Sequence, residues 1–365
     1  MYIHEHKNWT EFRWDSLAVL NLLGEVRNLQ GRLLGKMEGL GFPLQNEATL
    51  STLTHEVVKS SEIEGEKLNE EQVRSSLAMR LGMELPNTVA SIPNIDAVVD
   101  MMIDATGHHK EILSKKRLIQ WHTGLFQNGY NTLYRVDIGK YRTGEMQVVS
   151  GPMGRQKIHF VAPPPHSVSR EMQTFLEWFN HYNTIDSVLK SAIAHFWFVT
   201  IHPFDDGNGR IARAIAEMQL ARSDNSALRF YSMSKQILKE RKEYYQQLES
   251  AQRGSGDITE WIIWFLNCLK RSLQTSEELL QNVLYKKKFW EEITSTPLNE
   301  RQRKMINKLL DGFEGKLTTT KWAKITKTSQ DTALRDINDL ISKGVLVKDT
   351  QGGRSTGYTL KARSK

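Results

Sequence analysis

Ile201-His202-Pro203-Phe204-Asp205-Asp206-Gly207-Asn208-Gly209-Arg210-Ile211-Ala212-Arg213 is the stretch on which the reading of this chain turns. Upstream, Val188 to Thr200 is an apolar run with Ile193, Phe196 and Trp197; downstream, Ile211, Ala214, Ile215 and Met218 recur at helical spacing. Two buried helices are expected, the second starting near Gly209. Between them lies a tight polar loop shaped by Pro203 and two glycines. That loop has the parts for phosphoryl-type transfer. Gly207-Asn208-Gly209 opens onto a helix N-terminus, where unpaired N–H groups and the dipole bind an anion. Arg210 and Arg213, three apart, project from one side of that helix. Asp206 offers the carboxylate oxygen that magnesium prefers. His202 titrates near neutrality, which suits a general base. A plain capped helix start with a buried histidine would leave five converging polar groups unexplained.

Outward from the loop, residues 95–288 keep a helical pattern with one interruption. Met146 to Val149 and Ile158 to Val161 read as short β runs around Gly151-Pro152-Met153-Gly154, and Pro163-Pro164-Pro165 ends the second. This is a β-hairpin inserted in a helical domain. Towards the N-terminus, Leu17 to Met37 repeats Leu20, Leu23, Val26, Leu29 and Leu33, and Gly39 to Pro43 breaks it. A second helix is expected over Asn46 to Ile63, ended by Gly65, and a third is capped by Asn69. Glu62, Glu64 and Glu66 crowd the second helix's C-terminus, the negative end of its dipole. Such a local conflict is expected where a residue serves a distant partner. Near the C-terminus, Thr320 to Thr326 and Ser329 to Lys343 read as helices. Val345 to Val347 and Tyr358 to Leu360 read as strands around Gln351-Gly352-Gly353-Arg354, completing a winged helix-turn-helix. The chain is thus expected to be mainly α with three domains, 1–94, 95–285 and 286–365.

The charge supports a separate C-terminal module. The 365 residues carry 49 Lys+Arg and 42 Asp+Glu, a net +7. Residues 281–365 hold 18 and 9 of these, leaving 31 and 33 for the first 280. A basic module raises the expectation of DNA contact, with an interaction or dimerisation role as the alternative. Hydrophobic content of 39% and charged content of 25% exclude long disorder. The single cysteine, Cys268, excludes an internal disulfide and a Cys-based zinc site and points to the cytoplasm. The longest apolar stretch, Trp261 to Leu266, is too short for a membrane span, and no signal peptide is expected. His195 reads as a buried structural histidine, and Asp205 as facing solvent.

His-Pro-Phe-x-Asp-Gly-Asn-Gly-Arg-x-x-Arg, here His202 to Arg213, resembles the signature of the Fic (filamentation induced by cAMP) family without a mismatch. The resemblance implies an all-helical core with a hairpin flap over Gly139 to Pro165, including Tyr141-Arg142. A helical extension precedes it and a winged helix follows. It further implies AMP transfer from ATP to a Tyr, Ser or Thr hydroxyl of a target protein held on the flap. His202 would be the base and Asp206 the Mg²⁺ ligand. Gly207, Asn208, Gly209 and Arg210 would bind the α- and β-phosphates, and Arg213 the γ-phosphate. Tyr244-Tyr245-x-x-Leu248 with Gln252 resembles the adenine-contacting stretch of relatives, which commonly have asparagine where Gln252 stands. Ser60-x-x-x-Glu64-Gly65 resembles the family's inhibitory motif, in which Glu64 would pair with Arg213; in some relatives that glutamate also serves removal of AMP. A transcription regulator with the core as nucleotide sensor, transfer of another phosphate-containing group, and a homodimer stay open.

Overall fold

Caps and breakers set most of the element boundaries. The computed structural model describes residues 1–361 except 86–87, 128, 131–134, 152–154, 183, 311–312, 314 and 350–355. The chain forms two compact units, Met1–Ser276 and Glu277–Lys365. In order, the first contains α1 (Ser16–Glu38), α2 (Phe42–Ile63), α3 (Glu70–Arg80), α4 (Pro93–Gly107) and α5 (Lys115–Leu125). The hairpin β1 (Gln147–Ser150) and β2 (Lys157–Val161) follows. Then come α6 (Val168–His181), α7 (Ser187–Ile201), α8 (Asn208–Asp224), α9 (Met233–Lys239) and α10 (Arg241–Gln252), and α11 (Thr259–Glu292), inside which the division falls. The second unit continues with α12 (Glu300–Leu310), α13 (Thr319–Thr326), α14 (Gln330–Ser342), β3 (Leu346–Lys348) and β4 (Tyr358–Leu360). The molecule is mainly α, with an inserted hairpin where the alternating runs predicted one.

One boundary and one buried face differ from the sequence reading. α2 begins at Phe42, not Asn46, because Pro43 falls in the first turn, where its missing N–H has no intrahelical partner to lose. On α1 the buried face is Val19, Val26, Gln30, Leu33 and Met37, whereas Leu20 is 60% exposed. The Asp15 carboxylate starts α1 by accepting the Leu17 and Ala18 N–H groups at 2.9 and 3.1 Å, and Asn69 caps α3 through Gln72 N at 3.0 Å.

The core of the first unit is the α7–α8 pair. Every residue of α7 from Val188 on is buried, as expected of a helix apolar all round. α4, α5 and α2 pack about α8, and α2 also lies on α3 and α9. α2 is pinned internally by Glu56, whose buried carboxylate accepts the Ser232 hydroxyl at 2.6 Å and the Ser234 N–H at 3.0 Å at the start of α9. Trp261 on α11 is core material, its indole donating to the Ala192 carbonyl at 2.9 Å.

The second unit has its own core of Phe289, Met305, Ile306, Trp322, Ile337, Leu340 and Leu346. β3 and β4 pair antiparallel with Val347 opposite Thr359. Gln351 to Arg354, the expected wing tip, and Pro152 to Gly154 of the first hairpin's turn lie outside the described residues. Among the described residues no helix is long and apolar enough to cross a membrane.

Candidate active site

The loop between α7 and α8 is fixed from inside. His202 closes α7 in the left-handed region (φ 52°, ψ 58°), a conformation that a non-glycine residue adopts only when its surroundings enforce it. Phe204 is fully buried, stacked on His122 with ring centroids 4.2 Å apart. Asn208 braces the turn by accepting the Phe204 N–H at 3.0 Å and donating to the Phe204 carbonyl at 2.8 Å. Both ends of its amide thus serve the loop, a different use from the phosphate contact implied by the family resemblance. Gly207, the residue before α8, has φ +77°, and a Cβ there would lie 2.9 Å from the Phe126 ring. Only glycine meets both demands.

Arg142 holds the loop from outside. Its guanidinium donates to the carbonyls of His202 (2.7 Å), Gly144 (2.9 Å) and Pro163 (2.6 Å), and its backbone N–H donates to the Pro203 carbonyl at 2.9 Å. One buried side chain therefore joins both ends of the hairpin segment to the His202 backbone. Asp205 is partly buried and accepts the Asp137 N–H at 3.2 Å, rather than facing solvent as expected.

His202 Nδ1 lies 3.1 Å from the Val199 carbonyl, which can only accept. The proton therefore sits on Nδ1, and Nε2 carries the lone pair. Burial lowers the imidazole to about 4, despite the raising effect of the Val199 bond, so it is neutral at pH 7 with its Nε2 lone pair free to accept a proton. Asp206 Oδ1 accepts the Gly207 N–H at 2.6 Å, which fixes a carboxylate beside the start of α8. Among the described residues no group of three or more His, Cys, Asp or Glu forms a metal cage. One oriented carboxylate beside a helix N-terminus is a donor of the kind magnesium uses, since that ion is usually shared between a carboxylate or two and substrate phosphates.

The three glutamates that conflict with the α2 dipole each meet a cation. Glu62 pairs with Lys59 at 2.8 Å, Glu64 with Arg213 at 2.7 Å and Glu66 with Arg210 at 2.7 Å. Arg213, 2% exposed, also donates to the Ser60 hydroxyl and carbonyl at 2.8 Å each. Burial works against its charge, yet Glu64 and the neighbouring Tyr244 and Tyr245 hold it above the ordinary arginine value. Gly65, at φ +85°, turns the chain out of α2. Glu64 lies so close to Gly209 that a Cβ there would collide with its carboxylate. A carboxylate thus occupies the first turn of α8, where the loop was expected to bind an anion.

Tyr245 lies at the edge of this cluster, with its hydroxyl 3.5 Å from the Ile63 carbonyl. Tyr244 is buried, its hydroxyl 2.9 Å from His195 Nε2, and burial pushes His195 down to about 3. Gln252 is buried with its amide 3.4 Å from the Thr200 hydroxyl. Arg142 and Glu66 are the participants to which sequence reading gave no role. Both contacts span too much chain for a local pattern to carry, although the odd crowding of glutamates signalled the second.

Residues 112–220 match the Fic/DOC family, and residues 2–83 match a domain of unknown function (DUF4172). A probable protein adenylyltransferase of Aquifex aeolicus is 31% identical over 151 residues, 41% of this chain and 41% of that one. Protein adenylyltransferase Fic of Drosophila erecta is 26% identical over 268 residues, 68% of this chain and 48% of its own. The chain therefore spans less than half the length of these curated relatives. A Fic family protein from Desulfovibrio desulfuricans superposes with a TM-score of 0.54 at 20% identity, covering 95% of this chain and 97% of that one. Fic-1 of Caenorhabditis elegans gives 0.51 at 22%, covering 73% and 75%. At these identities the two structures establish a shared fold.

Proposed function

From a chain whose residues 112–220 are a Fic/DOC-family domain, we propose a protein adenylyltransferase that moves AMP from ATP to a Tyr, Ser or Thr hydroxyl of a target protein. The observation that carries the reading is a neutral His202, with Nε2 as its basic nitrogen, beside a glycine-shaped helix start flanked by Arg210 and Arg213. The target oxygen forms a bond to the α-phosphorus while the bond to the β-phosphate oxygen breaks. Its proton passes to His202 Nε2, and pyrophosphate leaves. Gly209 presents its backbone N–H to the phosphates, while Gly207 shapes the turn and spends its own N–H on Asp206. Arg210 neutralises the α- and β-phosphates, and Arg213 grips the γ-phosphate. Asp206 would hold Mg²⁺, which when bound offsets phosphate charge. Asn208 and Arg142 keep the loop in place. Tyr245 would line the adenine pocket, and Gln252 would join it by giving up its Thr200 contact. Positioning and charge neutralisation carry most of such a transfer.

The Ser60–Glu64–Gly65 segment acts as a brake on this chemistry, because the Glu64 carboxylate takes the Arg213 contact and the helix-start position that a γ-phosphate needs. Removal of AMP by the same site, with Glu64 orienting water, is a second activity of this reading. The hairpin would hold the target segment by strand addition. Residues 1–94, 95–285 and 286–365 would act as inhibitory, catalytic and accessory modules, the last a winged helix suited to DNA. Its basic balance favours a second reading, a DNA-binding regulator whose core senses nucleotide, and a salt-dependent affinity for DNA would support it.

ATP labelled on the α-phosphate, incubated with the protein in a cell lysate, tests the first reading. Glu64→Gly should label a target more strongly than wild type, and His202→Ala should not label at all. Equal labelling by Glu64→Gly and wild type removes the brake, and transfer retained in His202→Ala removes the base.

A further inference from the structure

Glu66 makes a contact parallel to that of Glu64. Its Oε2 lies 2.7 Å from an Arg210 terminal nitrogen, and its Oε1 accepts the Asn94 amide at 2.6 Å. Arg210 is buried, its guanidinium 5.2 Å from the Phe126 ring centroid, and its Nε is buried without a hydrogen-bond partner. Both arginines assigned to phosphates are thus neutralised by carboxylates from one short segment. A triphosphate reaching the loop meets two ion pairs in place of two cations.

We propose that Glu66 is a second residue that sets nucleotide affinity, acting through Arg210 as Glu64 acts through Arg213, with Asn94 fixing how firmly it is held. The proposal rests on the adenylyltransferase reading above. In each pair the arginine is buried and the carboxylate, about one-third exposed, is the partner with room to leave. The anchors differ. Glu64 closes α2 beside Ser60, whereas Glu66 lies beyond the Gly65 turn and is tied to Asn94 in the first turn of α4. A shift of α4 would therefore act on Glu66 directly through Asn94, a tie that Glu64 lacks.

Calorimetric titration of the full chain with magnesium and ATP, run beside labelled-AMP transfer, tests this. Glu66→Gln should tighten ATP binding about threefold to tenfold, the range for a partly exposed charge-assisted pair, in both wild-type and Glu64→Gly backgrounds. Asn94→Ala should shift it the same way by less. If Glu66→Gln melts at a lower temperature than wild type, Glu66→Asp replaces it; the shorter side chain cannot hold both partners and should also tighten ATP. Unchanged or weaker ATP binding in the Glu66 variants, while Glu64→Gly tightens it, overturns the proposal and makes Glu66 an orienting partner of Arg210. If neither wild type nor Glu64→Gly labels any target, the adenylyltransferase reading fails instead.

Discussion

The α7–α8 loop and the segment from Ser60 to Glu66 face each other across the same few ångströms and are held in opposite ways. The loop is held by Asn208 and, from outside, by Arg142, both buried and each bonded to more than one backbone group, and Gly207 is locked by both its dihedral and the Phe126 ring. In the facing segment, Glu64 and Glu66 are 33% and 32% exposed at the side chain, while the arginines they meet are 2% and 7% exposed. Disturbing the loop means breaking buried, directional bonds. Displacing a carboxylate means exchanging one ion pair for water or for another anion, a far smaller change. On the reading proposed above, the groups that carry the chemistry are the firmly held ones and the blocking carboxylates are the ones with room to leave.

The contrast is open to attack from both sides. The largest effect is expected on the rigid side, where His202→Ala should lower AMP transfer by on the order of 10²–10⁴-fold, measured by initial rates of label incorporation. Arg142→Lys, which keeps the charge and loses the forked contact with three carbonyls, should lower kcat about ten- to a hundredfold with a smaller change in the KM for ATP. An equal loss in both would make Arg142 a general stability residue. On the mobile side, Glu64→Gly should raise productive transfer about tenfold to a hundredfold, the worth of one charge-assisted pair. A rise much smaller than that would mean the carboxylate leaves unaided.

pH acts on stability before it acts on catalysis. Burial lowers His122 and His202 to about 4 and His195 to about 3, so between pH 6.5 and 4 the unfolded chain binds protons that the folded chain refuses. Stability is full above pH 6.5 and should fall as pH drops through that window, read as a declining Tm. Catalysis limited by the His202 base should stay level from pH 8 down to about 5. Activity falling in step with an imidazole of ordinary pKa would break the assignment. The smallest expected effect lies away from both regions. Asp15→Ala removes the α1 cap and should cost about 1 kcal/mol, a Tm shift of about 2–4 °C, with AMP transfer unchanged.

What was legible in the sequence follows from how local each feature is. The loop's chemistry sits within thirteen residues, so spacing alone assembles it. The hairpin announces itself by its alternation and its prolines. The crowding of Glu62, Glu64 and Glu66 was visible as a conflict with the helix dipole, but only Lys59, the partner of Glu62, is local; the partners of Glu64 and Glu66 both lie on α8, far along the chain. The Arg142 contacts reach across about 60 residues to carbonyl groups, which carry no side-chain signature. The inward turn of Asn208 was hidden for the same reason, since its partners are the backbone of Phe204. Leu20 misled because a helix with leucines on several sides offers more than one plausible face, and packing of Val19 and Val26 chooses among them.

Gly209 has a consequence for how such a protein can change over generations. The bare α-carbon that admits the Glu64 carboxylate is the same surface that a phosphate would approach. Adding a single methyl group would exclude inhibitor and substrate together. On the reading proposed above, a side chain at that position would remove restraint and nucleotide together. Escape from the brake would then come from the glutamate segment, and a lineage that kept catalysis would keep the place where a brake can be fitted again.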